Sequence, residues 1–298
     1  MVGGLKMSGE TRNSLKTKKA VLVTGSSSGI GHSIALYLAE QGFLVFAGVR
    51  KESDAKKLKS LGKSDLIPSY PLDLTDFKDI DNISKFIREQ LIDNNVKGLF
   101  GIVNVAGGGS IAPIELLDLN NLHREFKTRI LGPVGLLQSL LPLIREAEGR
   151  ILWIATPAII PSPFLTDIHA CDFAVNFLVR TLKIELLKWN TPGILIRCGG
   201  IKTSSPERTM NALKEAVKKW PKEKYGLYKD VLNREILELT EFDKKRMEPV
   251  EVAKVVYRAL TDRKPKRRYR VGYMSGFAAF LELFPQAVVD YILERKYG

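Results

Sequence analysis

The hydrophobic pattern alternates short apolar, β-branched runs with longer segments of helical periodicity. Short apolar runs of this kind are typical of strands buried on both faces of a parallel sheet. The predicted strands are residues 20–24, 43–49, 66–72, 99–105, 150–155, 194–198 and 268–272. The predicted helices are residues 33–41, 76–94, 122–148, 167–189, 249–260 and 277–295, with Pro133 and Pro142 expected to break or kink the third of them.

This alternation predicts βαβ units, and therefore one doubly wound α/β domain with helices on both faces of a parallel sheet. Residues 202–247 are helical, charged and without a strand pattern, so we expect them to form a lid over a pocket. Residues 277–295 are expected to form a last amphipathic helix. Residues 1–19 are basic and lack an apolar core, which favours a flexible tail, although a weak organellar address stays open.

A glycine-rich loop joins the first predicted strand to the first predicted helix. It reads Thr24-Gly25-Ser26-Ser27-Ser28-Gly29-Ile30-Gly31. Gly25 allows a tight turn, Gly29 lets a pyrophosphate approach the backbone, and Gly31 lets the helix pack close to the strand. The phosphates would then lie at the helix N-terminus, where unpaired N–H groups and the helix dipole favour anions. The strand-loop-helix context is the one that a dinucleotide site requires.

The loop and several later motifs resemble the short-chain dehydrogenase/reductase family, a family with a Rossmann fold, over nearly the whole chain. Asp73-Leu74 matches the family's adenine contact, and residues 104–107 (NVAG) resemble its Asn-x-Ala-Gly segment. Residues 198–203 (CGGIKT) resemble its Pro-Gly-x-Val-x-Thr loop, and residues 268–272 are similar to the steroid and retinol dehydrogenase branch. The cofactor contacts that the resemblance implies are Thr24, Gly25, Ser27, Ser28, Gly29, Ile30, Gly31, Asp73, Leu74, Asn104, Ala106, Gly107, Gly199, Ile201 and Thr203.

The choice of cofactor depends on the end of the second strand. Dinucleotide sites for NAD place an acidic residue there to bind the ribose hydroxyls. This chain has Arg50, followed by Lys51. Because a guanidinium suits a phosphate, we expect NADP(H) rather than NAD(H) if a nucleotide is bound. The alternative is that Arg50 is a solvated loop charge.

The catalytic positions of the family are replaced in this chain. The resemblance implies an Asn, a Ser, a Tyr and, four residues after the Tyr, a Lys that lowers the pKa of the Tyr. Aligned by strand and motif, these positions fall on Arg129, Thr156, His169 and Phe173. Thr156 retains a hydroxyl and His169 can carry a proton near neutral pH, whereas Phe173 can do neither. Arg129 is expected to depress the pKa of a nearby His169 because like charge disfavours the imidazolium.

A second Tyr-x-x-x-Lys match, Tyr225 to Lys229, lies in the predicted lid and is interpreted as a chance match. Losing one positioned acid or base costs on the order of 10²–10⁴ in rate, so losing the whole set should leave little classical redox turnover. The sequence therefore favours a catalytically impaired sensor, scaffold or subunit. Two active alternatives stay open, which are NADP-linked redox of an apolar alcohol or ketone and non-redox chemistry with His169 or Asp172 as base.

Composition limits the partners and the compartment. The net charge is +13, from 46 basic and 33 acidic residues, which favours acidic partners such as nucleotides or an anionic membrane surface. The basic run 263–268 and the last helix leave peripheral membrane contact, a homo-oligomer or a protein partner open, while nucleic acid and a membrane span are not expected. Two cysteines without a metal-ligand pattern favour a reducing, intracellular compartment, cytoplasmic rather than organellar, and no metal is predicted.

Overall fold

The molecule was analysed as a computed structural model that describes residues 18–156 and 161–297. The predicted basic tail, residues 1–19, lies almost entirely outside these ranges. The strands are β1 Ala20–Val23, β2 Leu44–Gly48, β3 Leu66–Ser69, β4 Leu99–Asn104, β5 Arg150–Ala155, β6 Gly193–Cys198 and β7 Arg268–Val271. The α-helices are α1 Gly29–Glu40, α2 Glu52–Lys59, α3 Phe77–Asp93, α4 Leu119–Phe126, α5 Gly132–Glu146, α6 Thr166–Glu185, α7 Ser205–Lys219, α8 Lys222–Asp243, α9 Pro249–Thr261, α10 Ser275–Leu281 and α11 Gln286–Tyr297.

The seven strands form one parallel sheet in the order β3-β2-β1-β4-β5-β6-β7. This is the doubly wound order of a Rossmann fold, extended by one strand. The predicted fold class is confirmed. The chain leaves β1 towards β2 on one side and returns to β4 on the other, so a crevice opens beyond the carboxyl ends of β1 and β4. The functional site is therefore expected at that edge.

Strand residues alternate between two apolar layers. Val21 and Val23 of β1 pack with α1 and α9, while Ala20 and Leu22 pack with α3, α5 and α6 on the opposite face. All four β1 side chains are fully buried. Because both faces of the sheet are covered, inner strands such as β1 and β2 are continuously apolar, whereas the edge strand β7 (RYRV) alternates.

The predicted helix over residues 122–148 is one continuous helical stretch with a change of winding in its middle. A π-helical turn, Lys127–Leu131, joins α4 to α5. Pro133 lies in the first turn of α5, where a missing N–H costs little, and Pro142 lies inside α5 without ending it. The expected break is thus a π turn just before Pro133, and isolated π turns often mark functional sites.

The segment predicted as a lid forms two helices, α7 and α8. They enclose a small apolar cluster of their own, built on Leu213, Leu232 and Ile111 from the β4–α4 connection. Tyr225 packs its ring against Trp220 with centroids 6.0 Å apart, so it belongs to this cluster rather than to the sheet edge.

The predicted last helix, residues 277–295, is wrong as a single element. The structure has two helices, α10 and α11, that are bent by 119° around the connection containing Pro285. Proline disfavours helical geometry in the residue before it and cannot donate the next helical hydrogen bond. Within residues 18–156 and 161–297, no single helix is long and apolar enough to cross a bilayer, and α10 with α11 meets that test only as this bent pair.

Candidate functional site: a dinucleotide cradle beside a charge-paired pocket

The glycine loop turns directly from β1 into α1 at the carboxyl edge of the sheet. Gly25 and Gly29 have φ of +67° and +58°, a region that favours glycine. A side chain on Gly31 would clash with the carbonyl oxygen of Gly25, so α1 packs against the loop as a dinucleotide site requires. Ser28 precedes α1 in an extended conformation, and its side chain makes no capping hydrogen bond. The first N–H groups of α1 are thus directed at the space where phosphates would bind.

Thr24 connects this loop to the end of β4. Its Oγ1 accepts hydrogen bonds from the backbone N–H groups of Val105 at 2.9 Å and Ala106 at 3.2 Å. A side chain on Gly25 would lie 3.1 Å from Cα of Ala106. The two loops are therefore in contact at the switch point of the sheet. Ser27 is exposed and Ile30 is half-buried at the mouth of the cradle.

The predicted adenine end lies at the carboxyl ends of β2 and β3. Arg50 is exposed two residues after β2. The carboxylate of Asp73 accepts from the backbone N–H of Thr75 at 2.9 Å and from its hydroxyl at 2.8 Å, which orients the side chain. Leu74 is buried, and its carbonyl lies so close to Gly132 that a side chain at Gly132 would clash with it.

Asn104, at the end of β4, forms a hydrogen bond to the neighbouring strand β5. Its side chain is buried and donates from Nδ2 to the carbonyl oxygen of Leu152 at 3.2 Å. This bond crosses from β4 to β5, so the side chain stabilises the sheet at the crevice edge. Gly107 lies beyond it, and a side chain there would come within 2.8 Å of the Arg129 guanidinium.

The loop after β6 reaches the opposite side of the crevice. Gly199 donates from its backbone N–H to Val271 at 2.9 Å, and a side chain there would clash with the carbonyl of Tyr273. Ile201 is buried, whereas the Cγ2 of Thr203 would lie 3.2 Å from a side chain at Gly29. The β6 loop and the glycine loop thus face each other across the sheet edge.

A cleft of about 350 Å³ begins at Thr203 and continues between the β6 loop and the helical pair α7–α8. It is lined by Lys202, Thr203, Pro206, Glu207, Met210, Thr240, Asp243 and Arg246. The lining is mixed, with carboxylates, cations and a methionine. Taken with the open N-terminus of α1, these positions fit a dinucleotide with its pyrophosphate at Gly25–Gly31 and its far end near Thr203.

The pocket that would adjoin the nicotinamide end contains a network of buried charges. Arg129, in the π turn, contacts Asp172 from Nη1 at 2.9 Å and Glu125 from Nε at 3.0 Å. It also donates from Nη2 to the carbonyl of Gly108. Burial disfavours the guanidinium charge, but the two carboxylates outweigh it and raise the pKa of Arg129 above its ordinary value. The cation is therefore fixed in place.

Thr156 belongs to the same network. Its backbone N–H and its hydroxyl both donate to Oδ2 of Asp172, at 2.7 and 2.6 Å. The hydroxyl that Thr156 retains at the position of the family's Ser is thus directed at a carboxylate. Asp172 accepts from Thr156 with one oxygen and from Arg129 with the other, and it is almost fully buried.

Phe173, the residue that aligns with the family's Lys, does not face the pocket. The Phe173 side chain is 49% exposed and packs against Phe177 on the outer face of α6, with ring centroids 5.4 Å apart. Asp172 is the residue in this turn of α6 that faces the pocket. Successive residues of a helix point about 100° apart, so an offset of one residue exchanges an outward side chain for an inward one.

His169 lies in the first turn of α6 and is half-buried. Its backbone N–H donates to the carbonyl of Leu165 at 3.0 Å. The structure pairs Arg129 with Asp172 and Glu125, so the cation predicted to depress the pKa of His169 is already neutralised by carboxylates.

Asp167, which the sequence analysis missed, fixes the segment after β4. It is fully buried, and Oδ2 accepts from the backbone N–H of Ser110 at 2.8 Å and from its hydroxyl at 2.7 Å. Glu125 likewise accepts from the N–H of Gly108 at 2.9 Å. The three glycines at 107–109 could have indicated these contacts from the sequence. Glycine has no side chain, so a buried carboxylate can closely approach the backbone N–H groups of such a segment.

Both cysteines are buried and are not paired with each other in a disulfide. Burial raises the pKa of Cys171 to about 12 and that of Cys198 to about 12. Because the thiolate is the nucleophile, neither residue is suited to nucleophilic chemistry at neutral pH.

Comparison with known proteins agrees with this architecture. The family model described as short chain dehydrogenase matches residues 19–214. Mouse (Mus musculus) estradiol 17-beta-dehydrogenase 2 is 28% identical over 293 residues, which cover 94% of this chain and 75% of that protein. The NADPH-dependent 3-dehydrocapnine reductase of Ornithobacterium rhinotracheale is 30% identical over 290 residues, covering 92% and 95%. The crystal structure of a short-chain dehydrogenase from Streptomyces avermitilis superimposes with a TM-score of 0.71 at 20% identity, covering 95% and 97%.

The fold and the site define a nucleotide-binding α/β protein with a Rossmann sheet. The chain belongs to the short-chain dehydrogenase/reductase family. The similarity to an estradiol dehydrogenase over almost the full chain confirms the predicted resemblance to the steroid and retinol dehydrogenase branch.

Proposed function

We propose that this protein binds NADP(H) but has lost the family's hydride-transfer chemistry, and that it acts as a sensor, scaffold or subunit. The observation that carries the proposal is the pairing of Arg129 with Asp172. In the family as the resemblance describes it, a lysine cation lowers the pKa of a catalytic phenol. Here the inward residue is a carboxylate, which would raise the pKa of a phenol instead.

Thr156 and Arg129 also form hydrogen bonds or ion pairs with other groups of the protein. The Thr156 hydroxyl donates to Asp172 and is not directed at a substrate carbonyl. Arg129 is held by two carboxylates and by the backbone of Gly108. Because Thr156, Asp172, Arg129 and Glu125 satisfy one another, they stabilise the fold, and none of these four groups is poised to donate a proton to a substrate.

Several features support nucleotide binding and a preference for NADP(H). The glycine loop has the required conformation, and Arg50 is exposed at the position where a 2′-phosphate would be contacted. Gly25–Gly31, Arg50 and Thr203 would hold NADP(H), whose transferable hydride would be used only in the second candidate function below. The relative from Ornithobacterium is named as NADPH-dependent. We further propose that α7 and α8 cover the far end of the bound nucleotide, as the predicted lid.

The second candidate is an active NADP(H)-dependent reductase or dehydrogenase of an apolar ketone or alcohol. It is favoured by the similarity to relatives named as oxidoreductases, one of them over 92% of this chain. In this case His169 would have to carry the proton. A His169→Ala substitution would then abolish the turnover, and turnover that survived the substitution would exclude His169 as the proton donor.

The first test is a titration of the purified protein with NADPH and NADH, followed by tryptophan fluorescence or calorimetry. We expect NADPH binding that is at least about tenfold weaker in Arg50→Glu, because a guanidinium–phosphate contact is replaced by charge repulsion. Lys51→Glu changes the net charge of the protein by the same amount at the next exposed position, so it is the matched control.

The two candidates differ in turnover once binding is known. The proposal expects no oxidation or reduction of ketone and alcohol panels at the rates common for enzymes, about 1–10³ s⁻¹. Turnover in that range contradicts the proposal and supports the second candidate. If the protein binds neither NADPH nor NADH, both candidate functions are contradicted. The fold would then serve as a scaffold without a cofactor.

A further inference from the structure

The two C-terminal helices expose an unusual amount of apolar surface. In α10, Ala278 and Ala279 are buried, while the large side chains point outward. The exposed large apolar residues of this segment include Phe277, Phe280, Leu283, Phe284, Tyr291 and Ile292. Single exposed apolar residues are ordinary, but a contiguous group of this kind marks an interaction surface.

Asp290 and Glu294 on α11 flank the apolar surface at Tyr291 and Ile292, but its larger part, residues 277–289, has no exposed carboxylate. Glu282 is the only acidic residue in 277–289, and it is buried in ion pairs with Arg197 and Arg268. The Arg268 contact is 3.0 Å. The acid is therefore directed into the protein, and Gln286 is the one exposed polar side chain between Phe277 and Val288.

A cluster of cations adjoins the apolar surface. Arg263, Lys264, Lys266 and Arg267 are exposed in the loop before β7, the edge strand of the sheet. The next residue of the chain, Arg268, is the one that bonds Glu282. This bond places the loop beside the connection between α10 and α11, so basic and apolar side chains meet at one edge of the molecule.

We propose that this edge docks on the surface of an anionic lipid bilayer, with the apolar side chains of α10 and α11 in the interface and the basic loop on lipid headgroups. Apolar residues flanked by cations are the pattern of interfacial membrane helices. The 119° bend between α10 and α11 suits helices that lie on a bilayer rather than cross it. The proposal does not depend on nucleotide binding or on turnover.

The composition of this surface disfavours two other partners, a second copy of the chain and RNA. A symmetric dimer through this edge would bring two basic loops together, and like charges across an interface are unfavourable. RNA would satisfy the cations, but aliphatic side chains such as Leu283, which is 79% exposed, gain nothing from a phosphate backbone. An anionic bilayer complements both parts of the surface.

The test is co-sedimentation of the full chain with vesicles of phosphatidylcholine alone or of phosphatidylcholine with phosphatidylserine. We expect binding to the anionic vesicles that weakens with added salt, and little binding to the neutral ones. Leu283→Glu should weaken binding at least about tenfold, because it places a charge at the apolar surface. Ile92→Glu is the matched control, since Ile92 is also 79% exposed but lies on α3.

The basic loop is tested separately by the double substitution Arg263→Glu and Lys264→Glu. Each cation near an anionic surface contributes about fivefold to binding, so the double variant should bind at least about 25-fold more weakly. Lys57→Glu with Lys59→Glu, two exposed lysines of α2, makes the same charge change elsewhere. Melting curves establish that each variant is folded.

Four outcomes would overturn the proposal. They are the absence of vesicle binding, equal loss of binding in the test and control variants, binding of RNA in place of vesicles, and a dimer in sedimentation that Leu283→Glu dissociates. NADPH titration of the same samples reports on the nucleotide site independently, so a failure here is distinguishable from a failure of the proposed function.

Discussion

At the scale of single residues, the buried pair of Arg129 and Asp172 defines this protein's pocket. Arg129, which aligns with the family's Asn, lies on the π turn, and Asp172 lies on α6 one residue before the position that aligns with the family's Lys. Their charges compensate each other, and Thr156 donates to the same carboxylate. Buried charges persist only when they are paired and hydrogen-bonded, so neither member can be replaced without affecting the other.

We predict that Asp172→Asn destabilises the protein by about 3 kcal/mol, because it leaves Arg129 buried with Glu125 as its remaining ionic partner. Phe173→Ala, one residue further along, should cost no more than about 1.5 kcal/mol, since it removes a half-exposed ring contact with Phe177. Urea unfolding of the two variants measures both values. A larger cost for Phe173→Ala than for Asp172→Asn would mean that Phe173 faces the pocket.

The two buried thiols give a prediction for alkaline pH. Folding raises the pKa of Cys171 and of Cys198 from 9.0 to about 12, so between these values the unfolded chain loses protons that the folded chain retains. Their contribution to the free energy of unfolding is constant below about pH 9 and then falls by up to about 1.4 kcal/mol per pH unit for each thiol.

Unfolding curves of the protein and of Cys171→Ala, compared from pH 8 to 10, test this prediction. The variant should lose less stability over that range than the parent protein. Thiol reagents should label neither cysteine of the native protein quickly at pH 8 and both after denaturation. Rapid native labelling of either thiol would contradict the burial that raises its pKa.

At the scale of elements, a buried ion pair fixes the C-terminal helices to the sheet. Glu282, at the end of α10, pairs with Arg197 of β6 and with Arg268 of β7. Burial and the nearby Arg268 and Arg270 lower the pKa of Arg197 to about 10, so it remains charged at neutral pH and needs the carboxylate. The orientation of α10 on the edge strand depends on this contact.

We predict that Glu282→Gln lowers the free energy of unfolding by about 3–5 kcal/mol, since it leaves the Arg197 charge buried without an anionic partner. Glu294→Gln, at an exposed position on α11, removes the same charge and should cost less than about 0.5 kcal/mol. Thermal melting of both variants gives the comparison. Equal losses of stability in the two variants would show that Glu282 contributes no more to stability than an exposed carboxylate does.

At the scale of the whole molecule, binding at the sheet edge is coupled to global stability. The proposed cradle is built from the ends of β1, β4 and β6, so a ligand there would hold together parts distant in the chain. A ligand that binds only the folded state stabilises it by about 2.7 kcal/mol at a hundredfold excess over its dissociation constant. We predict that NADPH raises the melting temperature and that Gly31→Ala removes this effect, because the added Cβ clashes with the Gly25 carbonyl.

Gly226→Ala is the control for that substitution. Gly226 lies in α8, and a side chain there would have nothing within 4 Å. Alanine should stabilise the helix by about 0.5–1 kcal/mol and leave the NADPH response intact. A melting temperature that rises equally with NADPH in Gly31→Ala would contradict the placement of the nucleotide on the glycine loop.

The sequence by itself determined the fold and the cradle. Inner strands such as β1 and β2 were predicted because burial on both faces requires a continuous apolar run. The glycine loop was recognisable because positive φ and close packing require glycine at fixed spacings. Both constraints act on residues that are close together in the chain, so a short stretch of sequence is enough to recognise them. The proposed loss of the family's catalytic residues likewise rests on residue types that are read from the sequence.

Only the tertiary structure decided which replacements face one another. Sequence spacing assigned Phe173 to the pocket, but the start of α6 at Thr166 sets the rotation of the helix and directs Asp172 inward. The pairing of Arg129 with Asp172 joins residues 43 positions apart. Charge compensation between two distant elements leaves no periodic signal in either of them, so it appears only when the sheet brings the π turn and α6 together.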